Sequence, residues 1–243
     1  MSLKVDSFKK LRKEKNKWKT ESWEEYEERE KAFLKDRLLS KEPTIKGQVR
    51  ITAGKAKNVQ IDIPRNTRPL TDRMKVRTFD ILNTDIANKT ILDLYAGSGS
   101  FGLEAISRGA KSATFVDASK HAAKILQENA NKTGFASVSE VIKMKVEEYL
   151  FKKTTEKTSS YDIIFLDPPY KHFNTKKLFK MQEIINSASK LLPAVRKEKG
   201  RFKGAVIIKH PRRYPKEKLE LDNLKLFDTF DFGLNSISLY IVK

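Results

Sequence analysis

The sequence predicts an α/β fold: a mostly parallel sheet of seven strands closed by an antiparallel C-terminal strand, preceded by a β-hairpin and a charged helical extension. Three observations carry that expectation. From Thr90 onward, short apolar runs alternate with amphipathic stretches, the mark of strands buried on both faces between helices. Only Asp231–Asn235 separates the last two runs. Parallel neighbours need a long crossover, so these two pair antiparallel. Finally, two runs end in turns that carry an aspartate, Asp93-Leu-Tyr-Ala-Gly-Ser-Gly-Ser-Phe-Gly102 and Asp167-Pro-Pro-Tyr170.

Residues 1–46 are dense in both charge signs and contain no glycine. Phe8, Leu11 and Trp18 recur at helical intervals, and Ser22-Trp-Glu-Glu25 has the form of a capping box ahead of Tyr26, Phe33, Leu34 and Leu38. Two helices, or one broken near Thr20, are expected. An amphipathic helix packed on the main domain is favoured over an RNA-binding arm. Residues 47–243 form the second unit, with residues 47–88 leading into its core. Gln48–Thr52 and Asn58–Ile63 are β-branched runs joined through Gly54, which predicts a hairpin. Thr71 or Asp72 then caps a helix that runs to about Asn83.

In the core, strands are expected at Thr90–Leu94, Ser112–Val116, Val138–Lys143, Asp162–Leu166, Gly204–Lys209, Leu224–Phe230 and Ser236–Val242. Helices fill about 100–108, 119–132, 146–152 and 175–192. This is the layout of the Rossmann-like class I methyltransferases.

Composition bounds the chemistry. The 243 residues hold 50 Lys+Arg against 31 Asp+Glu, a net charge of +19 that favours polyanionic partners. There is no cysteine, so disulfides and thiolate metal sites are excluded, and His121, His172 and His210 are scattered, so no metal site is expected. No run approaches the ~18 apolar residues of a membrane span, and no apolar signal core opens the chain. The expected location is the cytoplasm, with no membrane partner.

Gly97-x-Gly99-x-x-Gly102 permits a tight strand-to-helix turn and lets a cofactor approach backbone amides at the helix N-terminus. A dinucleotide and S-adenosylmethionine both fit such a turn. Asp93 tips the choice, because an anion suits the cationic amino and sulfonium groups of S-adenosylmethionine and not a pyrophosphate. Asp117 ends the next strand, placed to accept ribose hydroxyls. Tyr95 and Ser98, inside the turn, complete the expected cofactor contacts.

In the second turn, Asp167 sits at the carboxyl end of a strand, where open α/β sheets place ligands. Pro168 and Pro169 remove backbone donors and leave rigid carbonyl acceptors. An exocyclic purine amine is a poor nucleophile. Accepting its two N–H groups with Asp167 and the Pro168 carbonyl favours the pyramidal nitrogen that attacks, and stabilises the charge that develops there. Tyr170 offers a ring to stack on the base. The turn implies methylation of an amine and leaves adenine and guanine open.

From about residue 49 onward the chain resembles the RsmD-type small-subunit ribosomal RNA guanine-N2 methyltransferases. Arg50–Lys55 looks like their opening strand and turn, Arg68–Leu82 their signature helix, Asp93–Ala110 and Ile164–Tyr170 their cofactor and base motifs. The resemblance implies methyl transfer from S-adenosylmethionine to N2 of a guanine in the small ribosomal subunit. It also implies that Arg68, Pro69 and Thr71 lie over the cofactor or RNA entrance. The chain departs from the family pattern at Val76, usually glutamate, at Asp117, also usually glutamate, and at Lys145, where an aspartate or asparagine often meets the adenine.

Two basic clusters flank the fifth core strand. Arg196–Lys203 reads as a solvated loop, whereas Arg212, Arg213 and Tyr214 are predicted on the rim that carries Asp167, able to contact phosphates and a neighbouring base. Arg50 and Lys171 join Arg212 and Arg213 as expected RNA contacts. Two other readings remain: an adenine-N6 DNA or RNA methyltransferase, and a non-catalytic RNA-binding ribosome-assembly factor. A dehydrogenase is disfavoured by Asp93 and the Pro-Pro loop.

Overall fold

A computed structural model describes residues 47–65, 67, 69–82, 86–156, 160–173, 178–193 and 204–243, together with Glu25, Glu28, Arg29 and Ala32, which are helical. Most of the 1–46 extension, Arg68 and the Arg196–Lys203 loop lie outside the described residues. The chain divides into two compact units, Met1–Gln48 and Val49–Lys243. Among the described residues no helix is long and apolar enough to cross a membrane.

A two-stranded sheet forms from β1 (Gln48–Arg50) and β2 (Gln60–Asp62), followed by α1 (Asp72–Leu82). Alternation then begins: β3 (Thr90–Leu94), α2 (Ser100–Ser107), β4 (Ser112–Asp117), α3 (Lys120–Lys132), β5 (Ser139–Lys143), α4 (Val146–Glu156) and β6 (Ile163–Leu166). After a 3-10 turn at Tyr170–Phe173 come α5 (Leu178–Ser189), β7 (Ala205–Pro211), β8 (Leu224–Phe232) and β9 (Asn235–Val242). The seven-stranded sheet has the order β5-β4-β3-β6-β7-β9-β8. Its β7–β9 and β8–β9 pairings are antiparallel and the rest parallel. This is the Rossmann-like methyltransferase arrangement.

Side-chain alternation assigns the two faces of the sheet. Ile91, Ala113, Phe115, Ile163, Phe165, Ala205 and Ile207 pack with α1, α2 and α3. Leu92, Leu94, Val116, Ile164, Leu166, Val206 and Ile208 pack with α4 and α5. Period two therefore carries Asp93, Asp167 and Lys209, at or just beyond the strand ends, onto the α1–α3 face.

The strands of the hairpin are shorter than the β-branched runs suggest. The N–H groups of Thr52 and Ala53 donate to the Glu104 carboxylate on α2, at 2.8 Å and 3.1 Å, which ends the ladder. Gly54 takes φ +82°, and a Cβ there would stand 1.8 Å from the Ser107 carbonyl oxygen. Helix α4 runs further than expected, to Glu156.

The Arg68–Leu82 segment owes much of its pattern to packing. Thr71 Oγ1 accepts the Met74 N–H at 3.3 Å and caps α1. Lys75, fully buried, places its ammonium 3.5 Å from Glu104 and donates to the Arg50 carbonyl. Phe79 stacks on Phe101 with centroids 5.0 Å apart, and Phe101 stacks on Phe165 at 4.1 Å. This column links α1, through α2, to the strand that delivers Asp167. Val76 is 41% exposed.

Candidate active site

The carboxyl ends of β3, β4 and β6 open into a cavity of about 990 Å³ lined by both motifs. Asp93, Tyr95, Gly97, Ser98 and Asp117 line it together with Asp167, Pro168, Tyr170 and Lys171. The parallel register explains the convergence. Asp93 is paired with Phe165 and Leu94 with Leu166, so Asp167 emerges beside the end of β3.

The glycine turn is held by its own acids. Asp117 Oδ2 accepts the Gly97 N–H at 2.9 Å, and Oδ1 accepts the Ser119 N–H at 2.8 Å. Asp117 thus ties the turn to the end of β4, a role beyond the ribose contact expected from sequence. Asp93 Oδ2 accepts the Gly102 N–H at 3.0 Å. Gly97 (φ +56°) and Gly99 (φ +74°) adopt left-handed conformations, as a tight entry into α2 requires. Tyr95 does so too, at φ +58°, a strain of about 1 kcal/mol for a residue with a Cβ.

Burial pushes the Asp93 carboxyl well above the usual carboxylate range, against the Gly102 N–H, and the nearby Asp167 and Asp117 add to the rise. A cation facing Asp93 offsets that cost. The Tyr95 hydroxyl and Ser100 Oγ are buried without a hydrogen-bond partner among the described residues, and both residues line the cavity. Unspent donors, a glycine cradle and a buried acid fit a nucleoside-bearing cationic cofactor such as S-adenosylmethionine.

On the base side, Asp167 is held by a residue that the sequence places at the end of the fifth core strand without assigning it a role. Lys209, 3% exposed, places Nζ 2.9 Å and 2.6 Å from the two Asp167 oxygens. The signal was present: Asp167 follows the apolar run Ile163–Leu166 by one residue, and Lys209 follows Ala205–Ile208 by one residue. Leu166 is paired with Ile208, so the two charges are the next pair along. The Tyr170 hydroxyl donates to Asn235 Oδ1, anchoring the ring at the cavity wall.

Other expected site residues stand elsewhere. Thr71 is spent on the α1 cap and does not line the cavity. Arg50 pairs with Asp72 at 2.7 Å, and Arg212 with Asp231 at 2.9 Å; both arginines are exposed and outside the cavity lining. Arg213 is exposed and also outside it. Tyr214 corrects the rim assignment, being 5% exposed and packed edge-on against Phe173 at 4.9 Å. Lys145 lines the cavity and pairs with Glu148 at 3.4 Å.

The chain is similar to known proteins over most of its length. A family model described as Conserved hypothetical protein 95 matches residues 49–241. A ribosomal RNA small subunit methyltransferase D from Haemophilus influenzae is 38% identical over 135 residues, which are 54% of this chain and 68% of that protein. The structure of a putative methylase from Haemophilus influenzae is 28% identical with a TM-score of 0.60, over 81% of this chain and 99% of the other. A putative methyltransferase from Escherichia coli, 24% identical, shares the fold at a TM-score of 0.64, over 81% and 99% of the two chains.

Proposed function

Because the chain belongs to the small-subunit ribosomal RNA methyltransferase D family, we propose that it methylates the exocyclic N2 amine of a guanine in small-subunit ribosomal RNA, with S-adenosylmethionine as donor. One observation carries the reading: a single cavity holds the buried acid Asp93 behind a glycine turn and Asp167-Pro-Pro-Tyr170 beside it. The relatives' names supply the RNA; guanine follows from the resemblance of Arg50–Lys55 and Arg68–Leu82 to the guanine-N2 enzymes.

Asp93, the Gly97–Gly99 turn and Asp117 hold the cofactor. When bound, it supplies an electrophilic methyl on a cationic sulfur. Asp167 and the Pro168 carbonyl accept the two hydrogens of the target amine, which turns its nitrogen lone pair toward the methyl. Tyr170 stacks on the base and keeps it in the cavity. Asp167 would also be the adjacent acceptor for the proton that the amine releases once methylated. Lys171, exposed on the cavity wall, faces the RNA backbone, with Arg50, Arg212 and Arg213 as more distant phosphate contacts.

The test is incubation with labelled S-adenosylmethionine and small subunits, naked ribosomal RNA or DNA, followed by mapping of the methylated base. Label on guanine N2 of small-subunit RNA is expected. Label on adenine would favour the adenine-N6 reading. Intact cofactor binding without transfer to any nucleic acid would favour a ribosome-assembly factor.

A further inference from the structure

The cation that grips Asp167 is itself part of the machinery. Lys209 is almost wholly buried at the end of β7, with Nζ 2.9 Å and 2.6 Å from the two Asp167 oxygens. A buried ammonium gives up its hydration and persists only when paired. Here the pair is made with the side chain that meets the base.

We propose that Lys209 is a positioning residue of the transfer site, holding Asp167 as an oriented, ionised acceptor for the target amine. This rests on reading the cavity as a methyl-transfer site.

Two physical arguments support it. The first is charge. Asp167 acts on Asp93 across the end of the sheet and opposes its ionisation. A protonated Asp167 would present an O–H toward an amine that also donates. Lys209 supplies the opposite charge from the β7 side.

Asp93 faces Asp167 from β3, and Asp117 stands at the end of β4. Lys171 and His172 line the cavity from the 3-10 turn. Glu147 of α4 and Lys180 of α5 pair with each other at 3.1 Å.

The second argument is geometry. Contact with both oxygens fixes the plane of the carboxylate that, with the Pro168 carbonyl, meets the target amine. The sheet register places the ammonium there, because Leu166 and Ile208 are paired one residue earlier. Misplacement of an acceptor by about 1 Å costs on the order of 100-fold in rate.

The test uses the full chain with Lys209→Met, Lys209→Gln and Lys209→Arg. Transfer to small subunits is followed across pH, cofactor affinity by calorimetry, and the Asp167 carboxyl by carbon-13 NMR titration. Lys209→Met should lower kcat about 30- to 100-fold at neutral pH, leaving KM for RNA and Kd for the cofactor within about threefold. The loss should shrink as pH rises, and Asp167 should titrate at least about one pH unit higher than in the wild type. Lys209→Arg should restore kcat to within about tenfold, because guanidinium also grips a carboxylate by two hydrogen bonds.

A pH-independent loss, or none, with an unchanged Asp167 titration overturns the proposal. Should Lys209→Met fail to fold, Lys209→Gln carries the same comparison. If the wild-type chain methylates no RNA, the methyltransferase reading fails by itself. The NMR titration then still decides whether Lys209 governs Asp167.

Discussion

Lys75 and Glu104 face each other 3.5 Å apart with neither side chain exposed, joining α1 to α2 beneath the glycine turn. The pair is unequal. Burial holds the Lys75 ammonium below the usual lysine range, against the pull of Glu104 and Asp72. Glu104 also accepts from Thr52 Oγ1 at 2.6 Å and Arg108 Nε at 2.8 Å, besides the Thr52 and Ala53 amides. Replacing Lys75 by Met therefore leaves a satisfied carboxylate and should cost about 1–2 kcal/mol. Glu104→Leu takes a shared acceptor from Lys75, Arg108 and two backbone donors, and should cost about 3–5 kcal/mol. Urea unfolding of both variants checks the asymmetry; equal costs would contradict it.

Asp93 trades stability for binding. Its folded-state carboxyl titrates well above the unfolded one, so its contribution is fully present below the unfolded value and is lost as pH rises through the folded value. Above the unfolded value the wild type bears the cost of burying this acid. Asp93→Asn keeps an acceptor for the Gly102 N–H and removes the charge. It should gain about 1–2 kcal/mol in unfolding at pH 8 while weakening S-adenosylmethionine at least about tenfold by calorimetry. Loss of both properties together would argue against this division.

His210 gives a separate acid signature. Its Nδ1 donates to the Pro211 carbonyl at 2.8 Å and its Nε2 accepts from Ser238 Oγ at 2.8 Å, so the buried ring is neutral. Burial lowers its pKa to about 4 from 6.5. The stability it contributes is present above the unfolded value and lost as pH falls from about 6.5 through about 4. That loss should amount to roughly 2–3 kcal/mol. Chemical denaturation between pH 7 and 4 measures it, and His210→Gln should show a shallower decline than the wild type.

Tyr170 separates stacking from anchoring. Tyr170→Phe keeps the ring and loses the bond to Asn235, so transfer should fall about two- to fivefold. Tyr170→Ala removes the stacking surface and should lower kcat/KM on RNA about 10- to 100-fold with cofactor affinity unchanged. Similar losses in the two variants would show that the hydroxyl, not the ring, matters.

Much of the fold was legible because its signals are local. Strand periodicity, the strand-end acids and the short Asp231–Asn235 connection each declare themselves within a few residues, and β3 lies where the apolar run Thr90–Leu94 puts it. The base and cofactor turns converge as expected for the same reason. Where a residue's role depends on a distant partner, local pattern misled. Tyr214 is expected on the rim and lies in the core, against Phe173.

By itself the sequence determined the chemistry offered at each strand end: Asp93 and Asp117 beside glycines, and Asp167 beside two prolines. Strand period and turn composition are written in neighbouring residues. Only the tertiary structure decided the partners. Lys209 meets Asp167 across 42 positions, and Glu104 gathers Thr52 across 52. Sheet register and helix docking bring such pairs together, and burial makes their charges depend on each other.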